Sequence, residues 1–330
     1  MRKNNILRII ITGFSGFVSQ YFLEYLNFVE SNATVLGISR SKPDFDFAQY
    51  DKLNIQFKSI DLLNKVEVEN IITSFQPEYI LHLASVSSVA QSWQTPYDSF
   101  VNNTNIFLNI AEQIRLLKLP CRILSVGSSE EYGEVDEVLL PLTEEHLTKP
   151  LSPYAVARIS QEMLSKIYAD GYNIDIVMTR SFNHIGPRQK DKFVISSFAK
   201  QLVHLSLNKS VPQKIVTGNL NIIRDFLDVR DVVKAYYLLL KKGTKGEVYN
   251  ICSGKGILLK DIIHTMSNIL NIDIEIELNP LLVRPNENKK IIGSYKKINE
   301  HLGWQPTITA EKSLGDIINF WQNCYTHIAP

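Results

Sequence analysis

The chain has 330 residues, more than one ordinary core accommodates, so two closely packed domains are expected. Lys plus Arg number 35 against 34 Asp plus Glu, a formal charge of +1, which excludes the electrostatic footprint of a nucleic-acid binder or a protein docked on an anionic membrane. Cys121, Cys252 and Cys324 are odd in number and far apart, which argues against a disulfide framework or zinc site and fits a reducing, cytoplasmic compartment.

The polar start MRKNN leads into an apolar run at residues 6–11, far too short for a membrane span and lacking a cleavage pattern, which reads as a buried strand. Short apolar runs then alternate with amphipathic stretches: FVSQYFLEYLNFVES, ATVLGIS, YILHLAS, NIFLNIAEQIRLL and CRILSVGS. Buried runs separated by helix-length segments predict βαβ units, hence a doubly wound α/β fold on a parallel Rossmann sheet. Beyond about residue 180, segments such as SFNHIGPRQ and RDFLDVRDV interleave with further helix and strand, and IDIEIELNP alternates as a strand with one wet face. The expected division is a Rossmann domain at 1–179, rejoined by 219–252, and a smaller interwoven α/β substrate domain at 180–218 and 253–330. No repeat or long linker separates the two, so the crevice between them is the natural ligand site.

Thr12-Gly13-Phe14-Ser15-Gly16-Phe17-Val18-Ser19 follows the first strand and opens the first helix, the context in which glycines cradle a pyrophosphate. Gly13 to Val18 are therefore candidate dinucleotide contacts, with Ser19 where a third glycine would ease helix packing. The second strand ends in Ser39 and Arg40 instead of an acidic residue that would accept both ribose hydroxyls. A cation there suits a 2′-phosphate, so NADP is favoured over NAD. Asp61, ending QFKSID, is placed to meet the adenine edge.

Ser128 follows the strand CRILSVG, and 26 residues later comes Tyr154 in Ser-Pro-Tyr-Ala-Val-Ala-Arg, with Arg158 one helical turn beyond. A hydroxyl at a strand end with a tyrosine and a cation one turn apart is what hydride transfer to a carbonyl needs. At this point the chain resembles the extended short-chain dehydrogenase/reductase family. The resemblance implies that Ser128 orients a sugar oxygen, that Tyr154 is the acid or base, and that the residue at 158 supports the tyrosine and holds the nicotinamide ribose. The family has lysine at 158; this chain has arginine. A fixed cation about 5 Å from a phenolate is worth roughly 3 kcal/mol at an effective dielectric near 20, so arginine supplies the charge but not lysine's compact geometry.

The segments SVGSSEEYGE, PLSPYAVAR, RSFNHIGPRQKDKFV, RDFLDVRDVVKAY, VYNICSG, LNPLLVRP and GWQPTI carry the resemblance nearly end to end. Within the family they are most similar to GDP-4-keto-6-deoxy-D-mannose reductases, with GDP-mannose 4,6-dehydratases next. This implies a GDP-linked sugar as substrate, a homodimer packed through the helices of NIFLNIAEQIRLL and YAVARISQEMLSKIYA, and a setting in capsule or related polysaccharide assembly. It extends the cofactor set to Leu62, Leu83, Ala84, Ser85 and Asn103. It assigns the substrate to Ser129, Asn183, Arg188, Phe193, Val194, Lys200, Arg224, Arg284 and Glu287, with Arg224 and Arg284 meeting the diphosphate through planar forks. Glu130 stands where the dehydratases keep a catalytic acid.

His82 lies within an apolar strand and reads as a core or cofactor-lining histidine, and neither it nor His184 is expected to be catalytic. The aspartates of RDFLDVRD lack His or Cys companions, so no metal is expected. Three readings remain: reduction at C4 of a 4-keto sugar; a 4,6-dehydratase, C4-dehydrogenase or epimerase on a GDP-linked hexose or heptose; and a non-catalytic NAD(P)-binding regulator. HIGPRQKDKFV looks like the reductases, which favours the first.

Overall fold

The computed structural model describes residues 6–30, 32–283 and 288–326. The first half runs β1 (Leu7–Thr12), α1 (Phe17–Val29), β2 (Ala33–Ser39), β3 (Leu53–Ser59), α2 (Lys65–Phe75), β4 (Tyr79–His82), α3 (Val89–Gln94), α4 (Pro96–Phe100), α5 (Ile106–Leu116), β5 (Arg122–Val126), α6 (Pro153–Gly171) and β6 (Asp175–Ser181). The second runs β7 (Asn183–Ile185), α7 (Val194–Leu207), β8 (Lys214–Thr217), β9 (Ile223–Asp228), α8 (Val229–Lys242), β10 (Val248–Ile251), β11 (Gly256–Leu258), α9 (Leu259–Leu270), β12 (Glu275–Leu278), β13 (Lys290–Ile291), α10 (Lys296–Leu302) and α11 (Ala310–Thr326).

Seven strands form one sheet in the order β10-β6-β5-β4-β1-β2-β3, and every pairing in it is parallel. Its apolar runs are buried on both faces because helices cover both: α1 and α8 pack on one core, α2, α5 and α6 on the other. Strand order reverses between β1 and β4, β2 and β3 being added on one side of β1 and β4 onward on the other, so the carboxyl ends of those two strands open the crevice at which such sheets bind ligands.

Residues 229–251, as α8 and β10, rejoin this sheet, whereas the expected return began at 219. The strand at 223–228 belongs elsewhere, because β9 pairs with β7, β11 and β13 in a second sheet. That sheet and helices α7, α9 and α11 enclose the smaller core. The alternation of IDIEIELNP does give a strand, β12, paired among the described residues only with β8, yet all four of its residues are exposed, so neither face is buried as the pattern suggested.

Two local devices set the site. Ser152 caps α6, its Oγ accepting the Ala155 N–H at 3.1 Å with Pro153 at the first helical position, so the helix begins one residue before Tyr154. Phe14 is fully buried, edge-on to Phe45 and Phe47 and stacked on Phe57. A Cβ on Gly37 of β2 would fall 2.2 Å from its ring, so the glycine exists to admit the phenylalanine.

Candidate active site

Gly13 has φ +69°, and a Cβ on it would lie 2.8 Å from the Ala84 main-chain N. The β1 turn and the end of β4 therefore approach as only glycine allows, leaving a backbone-lined cradle at the N-terminus of α1. Ser19 explains the missing third glycine. It is fully buried and its Oγ donates back to the carbonyls of Phe14 (2.5 Å) and Gly16 (2.7 Å), which ties the helix start to the turn.

A cleft of about 650 Å³ runs from this cradle across the strand ends to the small domain. Gly13, Ser15, Gly16, Phe17, Val18, Ser39, Arg40, Asp61, Leu62, Leu83, Ala84 and Ser85 line one end. Ser128, Glu130, Tyr154 and Arg158 line the middle, and Asn183, Phe193 and Val194 the far end. A cradle that a single Cβ would fill, with Arg40 at the end of β2, fits an NAD(P) dinucleotide.

Ser128 caps a short 3₁₀ turn, Ser129–Tyr132, its Oγ accepting the Glu130 N–H at 3.2 Å. Arg158 is buried; its Nε donates to the Tyr154 hydroxyl at 3.1 Å, and its Nη1 to Val126 O at 3.1 Å and Gln161 Oε1 at 2.7 Å. The guanidinium is thus fixed by the strand that carries Ser128 while it holds the tyrosine oxygen. Asn183 begins β7 and donates from Nδ2 to Asp225 O at 3.1 Å, so its amide orientation is set by β9.

Several expected contacts lie elsewhere. Phe14 belongs to the core, and its N–H is taken by Ile38 O at 3.2 Å. Asn103 clasps the β4 loop instead of lining the cleft, with Oδ1 accepting the Val86 N–H at 2.8 Å. Ser129 is buried behind the turn, off the cleft wall, because the 3₁₀ turn points Glu130 inward.

Arg188, at φ +68°, faces away, pairing with Glu24 at 2.5 Å and covering the ring of Tyr21. Lys200 is held by Asp191 at 2.6 Å over Trp321. Arg224 is buried off the cleft wall, its Nη1 donating to Ile223 O (3.0 Å) and Asn288 O (2.8 Å). Arg284 and Glu287 lie outside the described residues.

The cleft-facing cations that sequence reasoning missed are Lys190 and Lys192. They share a loop with Arg188, which at φ +68° turns the other way, onto Glu24 and Tyr21. His82 is fully buried off the cleft, its Nδ1 against Thr12 Oγ1 at 2.9 Å; burial, reinforced by Arg158, lowers its pKa to about 3. His184 does line the cleft, and burial lowers its pKa to about 4, so both rings are neutral at pH 7. Among the described residues no His, Cys, Asp and Glu cluster could hold a metal, and no helix is long and apolar enough to cross a membrane.

Comparison with known proteins agrees with this geometry. The family model described as GDP-mannose 4,6 dehydratase matches residues 10–317. The GDP-6-deoxy-D-mannose reductase of Pseudomonas aeruginosa is 30% identical over 316 residues, covering 96% of this chain and 97% of that one. The GDP-mannose 4,6-dehydratase of Vibrio cholerae is 26% identical, covering 94% and 92%. The solved structure of RMD from Pseudomonas aeruginosa, complexed with NADPH, superimposes with a TM-score of 0.83 at 29% identity, covering 96% of this chain and 99% of that one. The chain belongs to the GDP-mannose 4,6-dehydratase family, within the extended short-chain dehydrogenases/reductases.

Proposed function

We propose that this protein is an NAD(P)H-dependent reductase of a 4-keto-6-deoxy sugar carried on GDP. The observation that carries the reading is the meeting of Ser128, Tyr154 and Arg158 on the cleft wall between the glycine cradle and Asn183. End-to-end similarity to a GDP-6-deoxy-D-mannose reductase supports the choice of substrate. The bound dinucleotide supplies the hydride. Tyr154 holds the C4 carbonyl oxygen and gives it a proton, Ser128 offers a second hydrogen bond, and the Arg158 guanidinium favours the resulting phenolate. Arg40 favours NADP through a 2′-phosphate.

At the far end, Lys190 and Lys192, beside the N-terminus of α7 with no side-chain cap, meet the diphosphate, while Phe193 and Val194 wall the base. In a homodimer packed through α6, the exposed Val156, Met163 and Ile167 of that helix would be covered together with Trp93, Tyr97 and Phe100 of α3 and α4, whereas α5 buries most of its apolar residues within the chain.

One observation favours the dehydratase as second reading: Glu130 lines the same cleft, where an acid could assist loss of water. The readings part in the product. Purified protein given the GDP-4-keto-6-deoxy sugar and NADPH should consume NADPH and add two hydrogen atoms to the sugar, by mass spectrometry. Loss of water from GDP-mannose without net cofactor consumption would replace the reductase by the dehydratase.

A further inference from the structure

The Ser128 turn is fastened from behind by a side chain that no step above uses. Glu131 is fully buried; its Oε1 accepts the Ser128 N–H at 2.6 Å, completing a reciprocal cap. The carboxyl lies so close to the preceding main chain that a Cβ on Gly127 would fall 2.4 Å from Oε1. Its other oxygen has no hydrogen-bond donor among the described residues, and the cation beside it, Arg180 Nε, is 3.9 Å away.

That cation is committed to another carboxylate. Arg180 forks Glu162, with Nε to Oε2 at 2.9 Å and Nη2 to Oε1 at 2.7 Å. Its Nη1 donates to the carbonyls of Glu144 (3.2 Å) and His146 (3.5 Å), and the group covers the Tyr132 ring at 4.8 Å. Glu162 is eight residues beyond Tyr154 on α6, Arg180 is three residues before Asn183 on β6, and Glu131 is three after Ser128. The cluster therefore joins the turn and helix that carry Ser128 and Tyr154 to the strand that leads into Asn183.

We propose that Glu131 is a positioning residue for Ser128, its carboxyl holding the Ser128 N–H and standing beside Arg180 of β6, which forks Glu162 of α6, and so fixing the spacing of Ser128, Tyr154 and Asn183. The proposal rests on the reductase reading above. Two buried carboxyls share one guanidinium, so a second negative charge would be uncompensated. The facing charged and titratable groups are Glu162 on α6, Arg180 on β6, Tyr132 on the same turn and Glu144 in the loop before α6. Burial first, then the Glu162 charge, push the Glu131 carboxyl well above the usual range, with Arg180 opposing weakly.

The test uses Glu131→Gln, which keeps a neutral acceptor and donor, and Glu131→Leu, which keeps volume alone. In the folded wild type Glu131 holds a proton that the unfolded chain releases above about pH 4.5, so its contribution to stability is full below that pH and is lost as pH rises through the raised folded value. Denaturation midpoints against pH should show Glu131→Gln removing that component of the slope. Glu131→Leu should lower kcat by on the order of 10–100-fold, with KM for the sugar and Kd for NADPH within about 3-fold, and Glu131→Gln should restore kcat to within about 3-fold of wild type. A wild-type kcat in Glu131→Leu, or an unchanged pH slope of stability in Glu131→Gln, would overturn the proposal. Should Glu131→Leu not fold, Glu131→Met, of similar volume and likewise without the carboxyl acceptor, is read by the same kcat and KM comparison. Absence of reductase turnover in the wild type would instead sink the functional reading, and the slope, measured without substrate, would still judge Glu131.

Discussion

The two ends of the cleft are built from different materials. At the cofactor end the walls are main chain: Gly13 brought against Ala84, Ser19 bonded into its own turn, and Phe14 locked into the core through Gly37. At the substrate end the walls are side chains on a loop: Arg188 turned out onto Tyr21, and Lys190 and Lys192 turned in. A backbone cradle on a rigid sheet recognises what all its ligands share, a pyrophosphate. A loop of long side chains discriminates, because one positive φ re-aims a charge.

The largest effect that sharpens this contrast belongs between the two ends. Tyr154→Phe should reduce kcat by at least about 10³-fold while NADPH affinity, by fluorescence titration, stays within about 3-fold; loss of folding would instead show a core tyrosine. Next, Gly13→Ala should weaken NADPH binding by on the order of 100-fold, since the added methyl meets main chain at 2.8 Å and neither neighbour can give way. The corresponding change at the other end should be graded. Lys190→Ala and Lys192→Ala should each raise KM for the nucleotide sugar about 5–10-fold with kcat little changed, and Arg188→Ala should leave KM within about 2-fold. A larger effect at Arg188 than at the lysines would break the comparison. The smallest change is expected at Arg158→Lys, with kcat between about one third and three times wild type, because the cation is retained and the arginine's bonds to Val126 O and Gln161 are the main loss. Collapse of kcat there would give arginine a role that charge does not explain.

The same contrast explains what was legible in the sequence. Buried parallel strands write themselves as apolar runs, and the glycine turn follows the first of them directly, so the sheet and the place of the glycine cradle could be read, though Phe14 and Asn103 lie off the cleft wall. The pairing of Tyr154 with Arg158 follows from helical spacing, and the structure shows it as a 3.1 Å bond. Side-chain direction in loops has no such period. The loop position of Arg188 suggests a substrate contact, but position says nothing about which way a residue at φ +68° points. Arg224 suggests a phosphate partner by its planar fork, although its neighbouring aspartates point to a structural role; its Nη1 donates to the carbonyls of Ile223, beside it on β9, and of Asn288. Ser129 and Asn103 show a related limit: each adjoins a residue that lines the cleft, and only the local turn decides which of two neighbours does so. The Glu131–Glu162–Arg180 cluster joins three segments distant in the chain, and no spacing rule announces it.

The most direct measurement is isotopic. Wild-type protein is supplied with NADPH deuterated at the transferable C4 position and a GDP-4-keto-6-deoxy sugar, and the product is read by mass spectrometry and NMR. The account predicts deuterium at C4 of the reduced sugar, with one NADP formed per sugar consumed. An unreduced sugar with the label retained on the cofactor, or water lost from GDP-mannose with no net oxidation, would contradict it.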